Sequence, residues 1–540
     1  MTTNATGAGS TSAWAPLALP AFRMLWLAQL GSNIGTWMQT VGAQWYLVEA
    51  GVGATLIALV QTASLAPALV LSLPAGVLAD LLDRRRLLLW GSVASAMIAS
   101  ALTAVAIVGA LSPAIVLWVT FLLGVTSTLT SPAWQAIQPE LVPREQIGAS
   151  SALGGAAVNG ARAVGPALAG VLLSVFGASV VFGINALSFF AAALALLVWK
   201  RPPQPGLDDR EPFGAALRAG ARYVASAHLV RRILLRSALF AVPASALWAL
   251  LPLTADRLGL DSAGYGILLG ALGAGAVLGI VVLPLVRARL SDSVVLVLSA
   301  LLFALGTAGA AALPFAATLP VLVLAGVAWI GTLTVLNASL QLTLPQWVRS
   351  RGAAVYILVF MGAMSIASLA WGLLAQASGA AAALLISAGL LVLVAASVRL
   401  LPLLPGTGTI DRSAALTWAT PMLQLEPAPK DGPVLVTRAY QVTAEHEAEL
   451  FGALARIADS RRRTGAYRWR AYRSLEESDT ILESFLVSSW QEYRRQRTER
   501  LTGRDREIEQ ELRALVPVDP VERHYLTVRT SRSARGRDTR

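Results

Sequence analysis

The chain alternates long apolar segments with short loops that carry most of its arginines. A helix of about 20 apolar residues is long enough to cross a bilayer. Twelve segments reach that length, at roughly 24–48, 53–79, 87–110, 113–136, 147–175, 178–199, 233–255, 263–286, 293–313, 317–343, 350–375 and 380–401. Only 14% of the residues are charged, compared with about 25% in soluble domains. The sequence therefore predicts an all-α polytopic membrane protein with twelve transmembrane helices.

Basic residues in the loops predict the orientation, because lysine and arginine are enriched in cytoplasmic loops. The loops that we place inside are 80–86, 137–146, 200–232, 287–292 and 344–351. With the adjoining Arg236 they carry sixteen lysines and arginines, whereas the loops placed outside carry only Arg257. We expect both termini to be cytoplasmic. The net charge of +12 belongs mainly to these loops, so it indicates topology rather than nucleic-acid binding.

The composition argues against several kinds of site. The chain has no cysteine and only three histidines, His228, His446 and His524. We therefore expect no disulfide, no metal centre, no cofactor and no catalytic residue. No Gly-rich Walker loop occurs, which argues against a pump driven by ATP. Residues 1–12 lack the basic and apolar regions of a cleaved signal peptide.

The longest internal loop, 200–232, divides the spans six and six. A threonine, a glutamine and a proline near the fourth span recur at the same spacing near the tenth, as expected for a structural repeat. The predicted divisions are an N-terminal cytoplasmic tail 1–22, an N-terminal six-helix bundle 23–199, a cytoplasmic central loop 200–232, a C-terminal six-helix bundle 233–401, a linker 402–432, a cytoplasmic domain 433–528 and a disordered tail 529–540. Part of the central loop, 213–230, is amphipathic and is expected to lie along the inner membrane surface.

The charged loop after the second span resembles a known motif. Gly76, Asp80, Arg84 and Arg85 match the loop between helices two and three of the major facilitator superfamily, although a leucine replaces a usual basic residue and an aspartate a usual glycine. The resemblance implies the fold of that superfamily, two six-helix bundles. It also implies that Asp80 and Arg84 steady one of two alternating-access states. The alternative is a simple positive-inside signal.

Two further segments narrow the resemblance. Residues 22–26 and 33–39 are similar to the opening of the enterobactin-exporter-like branch of that superfamily, the transmembrane secretion effectors. In the fifth span Arg162, Gly165, Pro166 and Gly170 resemble a motif of the superfamily's exporters, which implies export rather than import. Pro166 frees a backbone carbonyl, and the two glycines permit close packing.

Polar side chains inside spans need either water or a partner. Several recur on one helix face, and the resemblance implies that helices one, four, seven and ten line the pathway. The substrate-pathway candidates are Asn33, Trp37, Thr40, Gln44, Ser127, Ser131, Trp134, Gln138, Trp248, Asn337 and Gln341. The alternative is that amides and hydroxyls only link helices, at about 1 kcal/mol each.

Charged residues within the spans are few. Arg162 is the charge that we place well inside a span, either to attract an anionic substrate, to regulate proton exchange, or to pair permanently with a neighbouring helix. No acid lies clearly at mid-span. Glu49 and Asp256, each at a helix end, are the candidates for proton coupling, with an ordinary loop acid as the alternative. Proton coupling is therefore implied by the resemblance.

After the spans a small domain is predicted. Strands at 434–442, 467–472, 480–488 and 522–528 and helices at 445–463 and 490–515 follow the order βαββαβ, which is ferredoxin-like. The domain resembles dimeric α+β barrels of the antibiotic-biosynthesis-monooxygenase type, on residues 461–469 and 489–493. Dimerisation through this domain is expected. Tyr493 and Arg497 occupy the region where that family often has histidines, which argues against catalysis.

These patterns together predict a secondary active transporter of the bacterial cytoplasmic membrane. We expect it to export a siderophore, an antibiotic or a similar amphipathic metabolite by alternating access, as a proton antiporter. Its expected partners are the small-molecule substrate, protons and the lipid bilayer, with no nucleic acid. Two alternatives stay open: an importer of the same superfamily, and a membrane anchor for an enzymatic or sensory C-terminal domain.

Overall fold

The structure, a computed structural model, describes residues 12–201, 220, 222–404 and 423–527, without the side chains at positions 80, 81, 346 and 350. Twelve long helices lie in this part of the chain. They are α1 (Pro20–Glu49), α2 (Ala54–Leu81), α3 (Arg84–Ile107), α4 (Pro113–Ile137), α5 (Ile147–Phe176), α6 (Ala178–Val198), α7 (His228–Arg257), α8 (Ser262–Arg287), α9 (Asp292–Ala312), α10 (Phe315–Thr343), α11 (Arg349–Ser378) and α12 (Ala380–Ala396). Each of the twelve predicted segments corresponds to one of these helices.

Ten of these helices are long and apolar enough to cross a membrane. The other two depart from that description for different reasons. The 17-residue helix α12 is apolar but shorter. The 30-residue helix α1 is long enough, but its glutamines and asparagine lower its hydropathy.

Local signals in the sequence set the helix ends. Asp83 accepts a hydrogen bond from the backbone N–H of Arg86 and caps α3, and Ser112 caps α4 in the same way. Gly177 joins α5 to α6 and Gly379 joins α11 to α12, with φ angles of 75° and 87°. Other residues rarely adopt such angles. The two glycines occupy equivalent connections in the two sets of six helices, in agreement with the predicted repeat.

The chain forms two compact units, and the first contains most of the membrane helices. It comprises residues 1–208, 234–337 and 354–403. Within it α1 packs against α5 and α6, α2 against α4, α3 against α6, α5 against α8, and α9 against α12. A continuous cluster of buried apolar side chains runs through both sets of helices, from Met38 in α1 to Leu391 in α12.

The second unit, residues 209–233, 338–353 and 404–540, contains the predicted ferredoxin-like domain. Its elements are β1 (Val434–Gln441), α13 (Glu447–Thr464), β2 (Tyr467–Arg473), β3 (Thr480–Val487), α14 (Trp490–Arg495), α15 (Gly503–Ala514) and β4 (Val521–Leu526). The antiparallel sheet has the order β2-β3-β1-β4, and the order βαββαβ is confirmed. The predicted helix 490–515 is interrupted, because Thr502 and Asp505 form a capping box that starts a new helix.

The same unit includes chain segments that adjoin the membrane helices. Arg222 forms an ion pair with Glu492 of α14, at 3.0 Å. Tyr223 packs edge-on against Trp347, whose ring also lies 4.7 Å from the Arg500 guanidinium carbon. Tyr223 is buried in protein, which differs from the predicted position along the membrane surface. Residues 213–219 of that amphipathic run lie outside the described part of the chain.

Candidate functional site

The two sets of six helices contact each other along α5 and α8, and here the backbones nearly touch. A Cβ atom added at Gly170 would lie 2.6 Å from the Ser262 carbonyl, and one at Gly266 would lie 2.7 Å from the Pro166 carbonyl. One added at Gly273 would lie 2.4 Å from the Ala163 Cα. These residues form the α5–α8 interface. The close packing expected of the fifth-helix motif is therefore present, and Gly165 likewise lies against Trp37.

A second contact joins α2 to α11. The Thr62 hydroxyl donates to the Ser365 carbonyl at 3.0 Å, and the Ser365 hydroxyl donates back to the Thr62 carbonyl at 3.2 Å. Closer to the N-terminal end of α2, the Thr55 hydroxyl donates to the Gly372 carbonyl at 3.3 Å. In contrast, a Cβ at Gly76 near the other end of α2, or at Gly148 or Gly155 near the other end of α5, has no neighbouring atom within 4 Å among the described residues, and the neighbouring Gly154 contacts only Gln138 of the same set of helices.

A third contact joins α1 to α7 and α8 through Gln44. The Tyr265 hydroxyl donates to its Oε1 at 2.6 Å, and its Nε2 donates to the Trp248 carbonyl at 3.3 Å. Trp45 stacks on Tyr265 with ring centroids 5.8 Å apart. Gln44 is almost fully buried. It therefore links helices in this structure, the alternative that the sequence left open.

Three predicted residues from three helices come together beside these contacts. The Arg162 guanidinium carbon lies 5.6 Å from the ring centroid of Trp37 and 6.0 Å from that of Trp248. The two rings are 5.7 Å apart. We call these three residues the Arg162 cluster. It joins α5, α1 and α7, and so includes side chains from both sets of helices.

The remaining pathway candidates divide into exposed and half-buried residues. Ser127, Ser131 and Asn337 have exposed side chains. Thr40 donates to the Thr36 carbonyl of its own helix, and the half-buried Asn33 has an amide nitrogen with no acceptor among the described residues.

Two candidates at the end of α4 pack within the first set of helices. Trp134 and Gln138 line a small crevice with Trp26 and Gln29, and Gln138 donates to Gln29 at 3.3 Å. Gln341 belongs to the second compact unit.

The loop motif is held by a network of charges. Arg84 pairs with Glu140, which also accepts two bonds from Arg201 at 2.8 and 2.9 Å. Arg201 bonds Asp83 as well, at 3.1 Å. Burial raises the pKa of Asp83, but the Arg86 N–H and Arg201 outweigh it, so the pKa lies below its usual value. Sequence reasoning missed Glu140 and Arg201, although each is a charged residue just beyond a predicted span.

The other residues of the motif have different surroundings. Arg85 donates to the Leu196 and Leu197 carbonyls at the end of α6, at 2.8 and 2.9 Å. This arrangement satisfies carbonyls that have no partner inside the helix. The side chain of Asp80 lies outside the description, so its role in stabilising one state stays a prediction.

Both candidates for proton coupling are exposed residues at helix ends. Glu49 accepts a hydrogen bond from the Trp45 indole at 2.7 Å. Asp256 is likewise exposed near the end of α7. Neither lies in the Arg162 cluster, and their part in proton coupling stays a prediction.

Sequence reasoning also missed an aromatic cluster next to Trp248. Trp329 lies 5.3 Å from Trp248, and the rings of Phe240, Phe303 and Phe360 lie 5.7 to 6.0 Å from Trp329. These residues come from four helices, so no local pattern relates them.

Residues 11–533 match the sequence pattern of the family described as transmembrane secretion effector. The chain belongs to this family.

Proteins that are similar to this chain of the effector family are named as transporters or efflux proteins. The chain is 30% identical over 166 residues to the staphyloferrin A transporter of Staphylococcus aureus, covering 30% of this chain and 42% of that protein. It is 30% identical over 280 residues to enterobactin exporter EntS of Escherichia coli, covering 50% and 64%. It is 26% identical over 181 residues to macrolide efflux protein A of Streptococcus pyogenes, covering 34% and 45%. The matches thus span about half the length of these curated relatives.

Solved transporter structures share the fold of this effector-family chain. The nucleoside transporter NupG superposes with a TM-score of 0.54 at 15% identity, over 71% of this chain and 99% of that one. A bacterial homologue of the lysosomal transporter Spinster, in an inward-facing and unoccupied conformation, gives a TM-score of 0.56 at 14% identity, over 70% and 95%. The predicted major facilitator fold is confirmed. The proteins named here are transporters, in line with the prediction of a transporter rather than an enzyme.

Proposed function

We propose that this chain exports a small amphipathic organic molecule, such as a siderophore or an antibiotic, from the bacterial cytoplasm by alternating access. The observation that carries the proposal is the one-sided contact between the two sets of helices. The contacts lie in the half of each helix that is nearer the N-terminal end of α2 and α8 and nearer the C-terminal end of α1, α5, α7 and α11. The loop charges predict that all these ends face outward. The structure would then be the inward-facing state.

The exposed polar residues support the same assignment. Ser131 lies near the C-terminal end of α4 and Asn337 near that of α10, the ends that the loop charges place inside. A hydroxyl or amide exposed at membrane depth is costly in lipid, so it faces water or a partner. These side chains therefore line a cavity that is open to the cytoplasm and closed outside by the three contacts.

The comparisons and the fifth-helix motif support the proposed direction of transport, and the resemblance supports the proposed driving force. Two relatives are named as an exporter and an efflux protein, which supports export. Proton antiport, with Glu49 or Asp256 as a carrier, is proposed on the resemblance to superfamily exporters. The arginine-rich loops support a cytoplasmic position for both termini.

Dimerisation through the C-terminal domain is part of the proposal. In the sheet register Leu435 pairs with Leu486 and Tyr525, and Ala439 pairs with Leu482. This face lies opposite the buried residues that pack against the helices, and Tyr525 is 46% exposed. An apolar sheet face with exposed aromatic area favours association with a second copy.

The inward-facing assignment can be tested by single-cysteine labelling, because the chain has no cysteine of its own. Ser131→Cys and Asn337→Cys should react with a membrane-impermeant maleimide in inverted vesicles but not in intact cells. Ser365→Cys is the matched control. It lies at the contact with α2 and is 1% exposed, so it should react from neither side.

Export itself is measured with a panel of siderophores and antibiotics in the same inverted vesicles. Export from the cell becomes uptake into these vesicles, which should stop when an uncoupler removes the proton gradient. Labelling of Asn337→Cys from outside the cell would overturn the inward-facing assignment. Loss of solute from inverted vesicles would instead identify an importer.

A further inference from the structure

Arg162 differs from Arg236, the buried arginine of the described membrane unit, in the partners that surround its charge. Its Nη1 donates to Asn159 of the same helix at 3.4 Å, a long hydrogen bond, and its Nε has no acceptor among the described residues. The remaining contacts are the faces of Trp37 and Trp248. An aromatic face attracts a cation but does not neutralise it.

Arg236 shows what a purely structural arginine looks like in the same unit. Its Nε donates to the Leu401 carbonyl at 2.7 Å, and its terminal nitrogens donate to the hydroxyl and carbonyl of Ser397 at 2.9 and 2.8 Å. It is 3% exposed. It satisfies carbonyls at the end of α12 that have no partner in the helix. Arg162, in the middle of α5, has no such carbonyls.

The carboxylates of the described membrane unit lie elsewhere. Asp83 and Glu140 pair with Arg201, and Asp292 pairs with Arg287. Asp261 caps α8. Among the described residues no carboxylate forms an ion pair with Arg162. A charge within a membrane protein without a partner normally faces water or a ligand.

A second donor without a partner lies on the neighbouring helix. The amide nitrogen of Asn33 is buried and has no acceptor among the described residues. Asn33 is one helical turn before Trp37 on α1, and α1 packs along α5, where Gly165 lies against Trp37. Helices α1 and α5 therefore each carry a hydrogen-bond donor that has no acceptor among the described residues. The rings of Trp37 and Trp248 lie beside Arg162, and no described carboxylate pairs with it.

We infer that the Arg162 cluster binds the anionic group of the transported solute, a carboxylate or phenolate attached to an aromatic ring. This inference rests on the proposed function, since it assigns a substrate class to the same pathway. Arg162 supplies a charge-assisted hydrogen bond to the anion. The rings of Trp37 and Trp248 supply the flat apolar surface against which the attached ring packs.

The location of the cluster explains how such a site serves transport. Trp37 comes from one set of helices and Trp248 from the other, so a solute bound between them contacts both. When the two sets move apart on this side, the paired rings separate and the site loses one wall. An anion held here is therefore bound by one conformation more strongly than by the other, as alternating access requires.

Equilibrium dialysis of the full chain in detergent micelles tests the inference, with radiolabelled salicylate as the anionic probe and salicylamide as its neutral match. Micelles that contain the unaltered chain should retain more salicylate than micelles without protein. Arg162→Gln should weaken salicylate binding about tenfold or more, the loss expected for one charge-assisted hydrogen bond. Arg162→Lys should recover part of the binding, and salicylamide should bind the chain and Arg162→Gln equally.

The control is Arg289→Gln, which removes an exposed loop arginine and should leave salicylate binding unchanged. Equal binding by Arg162→Gln, equal loss in Arg289→Gln, or displacement of salicylate by an equal concentration of chloride would each overturn the site. The readout needs no transport. If salicylate binding depends on Arg162 but the chain exports no solute, the proposed function fails and the binding site stands. If the chain exports a solute and Arg162→Gln binds salicylate with unaltered affinity, the binding site fails and the proposed function stands.

Discussion

The half-buried Arg162 of the membrane helices has no carboxylate partner among the described residues, whereas the fully buried Arg461 of the C-terminal domain has two. In the domain Arg461 is fully buried and pairs with Glu483 and Glu509. In the membrane unit Arg162 has one long hydrogen bond and two aromatic faces. A saturated charge holds elements in place, whereas an unsaturated one is available to a ligand.

The domain network is dense. Arg438 bridges Glu509 and Glu522, while the Trp469 indole and the Tyr440 hydroxyl donate to Glu483 at 2.9 and 2.7 Å. Every carboxylate of this group therefore meets a cation or a neutral donor. The network lies between the sheet and its helices and joins all four strands to α13 and α15.

The largest effect that tests this comparison is expected from Arg461→Leu. It leaves Glu483 without its cation and Glu509 with only one, at a cost of about 3–5 kcal/mol in the free energy of unfolding of the domain. Hydrogen–deuterium exchange of β1 and β3 in the full chain measures that loss. Arg456→Gln, which removes an exposed pair with Glu511, should change it by less than about 1 kcal/mol. Equal protection in both variants would show that the network does not hold the domain.

A smaller effect distinguishes the two membrane arginines. Arg236→Gln should lower the stability of the chain by about 1–3 kcal/mol, because it leaves buried carbonyls without donors. Arg162→Gln should leave stability within about 0.5 kcal/mol, since the only acceptor that loses a hydrogen bond among the described residues is Asn159, at a long 3.4 Å. Thermal unfolding in one detergent without added ligand compares them. A larger loss of stability in Arg162→Gln than in Arg236→Gln would mean that Arg162 has a structural role, which contradicts the contrast drawn between the two arginines.

The smallest effect is expected on mild acidification. Burial raises the pKa of Glu509, but Arg461 and Arg438 outweigh it, so its pKa lies below the ordinary 4.5. The unfolded chain then takes up protons before the folded domain, and the domain loses stability only as the pH falls below about 5. Scanning calorimetry of the full chain should show the domain transition unchanged between pH 7 and 5.5 and lowered at pH 4. A decline already at pH 6 would contradict the assigned shift.

The sequence predicted elements better than contacts. Apolar length and loop charge located all twelve helices, and the alternation of apolar residues located the four strands. The predicted helix 490–515 was wrong in its continuity, although Thr502 followed three residues later by Asp505 is a readable start signal. A capping pair inside a long amphipathic run was overlooked because the periodicity continues on both sides of it.

The candidate site was predictable residue by residue but not as an arrangement. Spacing placed Asn33, Trp37 and Gln44 on one face of α1, yet only the packing shows that Gln44 links helices while Trp37 meets Arg162. The same limit hid the aromatic cluster around Trp329. Contacts between residues far apart in the sequence depend on helix rotation and crossing, which hydrophobic periodicity leaves undetermined.

The α5–α8 interface has a consequence for the energy of conformational change. Gly170, Gly266 and Gly273 bring backbones together with almost no side chain between them. Parting the two helices here exposes little apolar side-chain area and forces few side chains into new rotamers. The α5–α8 interface therefore offers little resistance to opening, and the interactions that must break are the hydrogen bonds of Gln44 and Thr62 and the contact between the Trp37 and Trp248 rings.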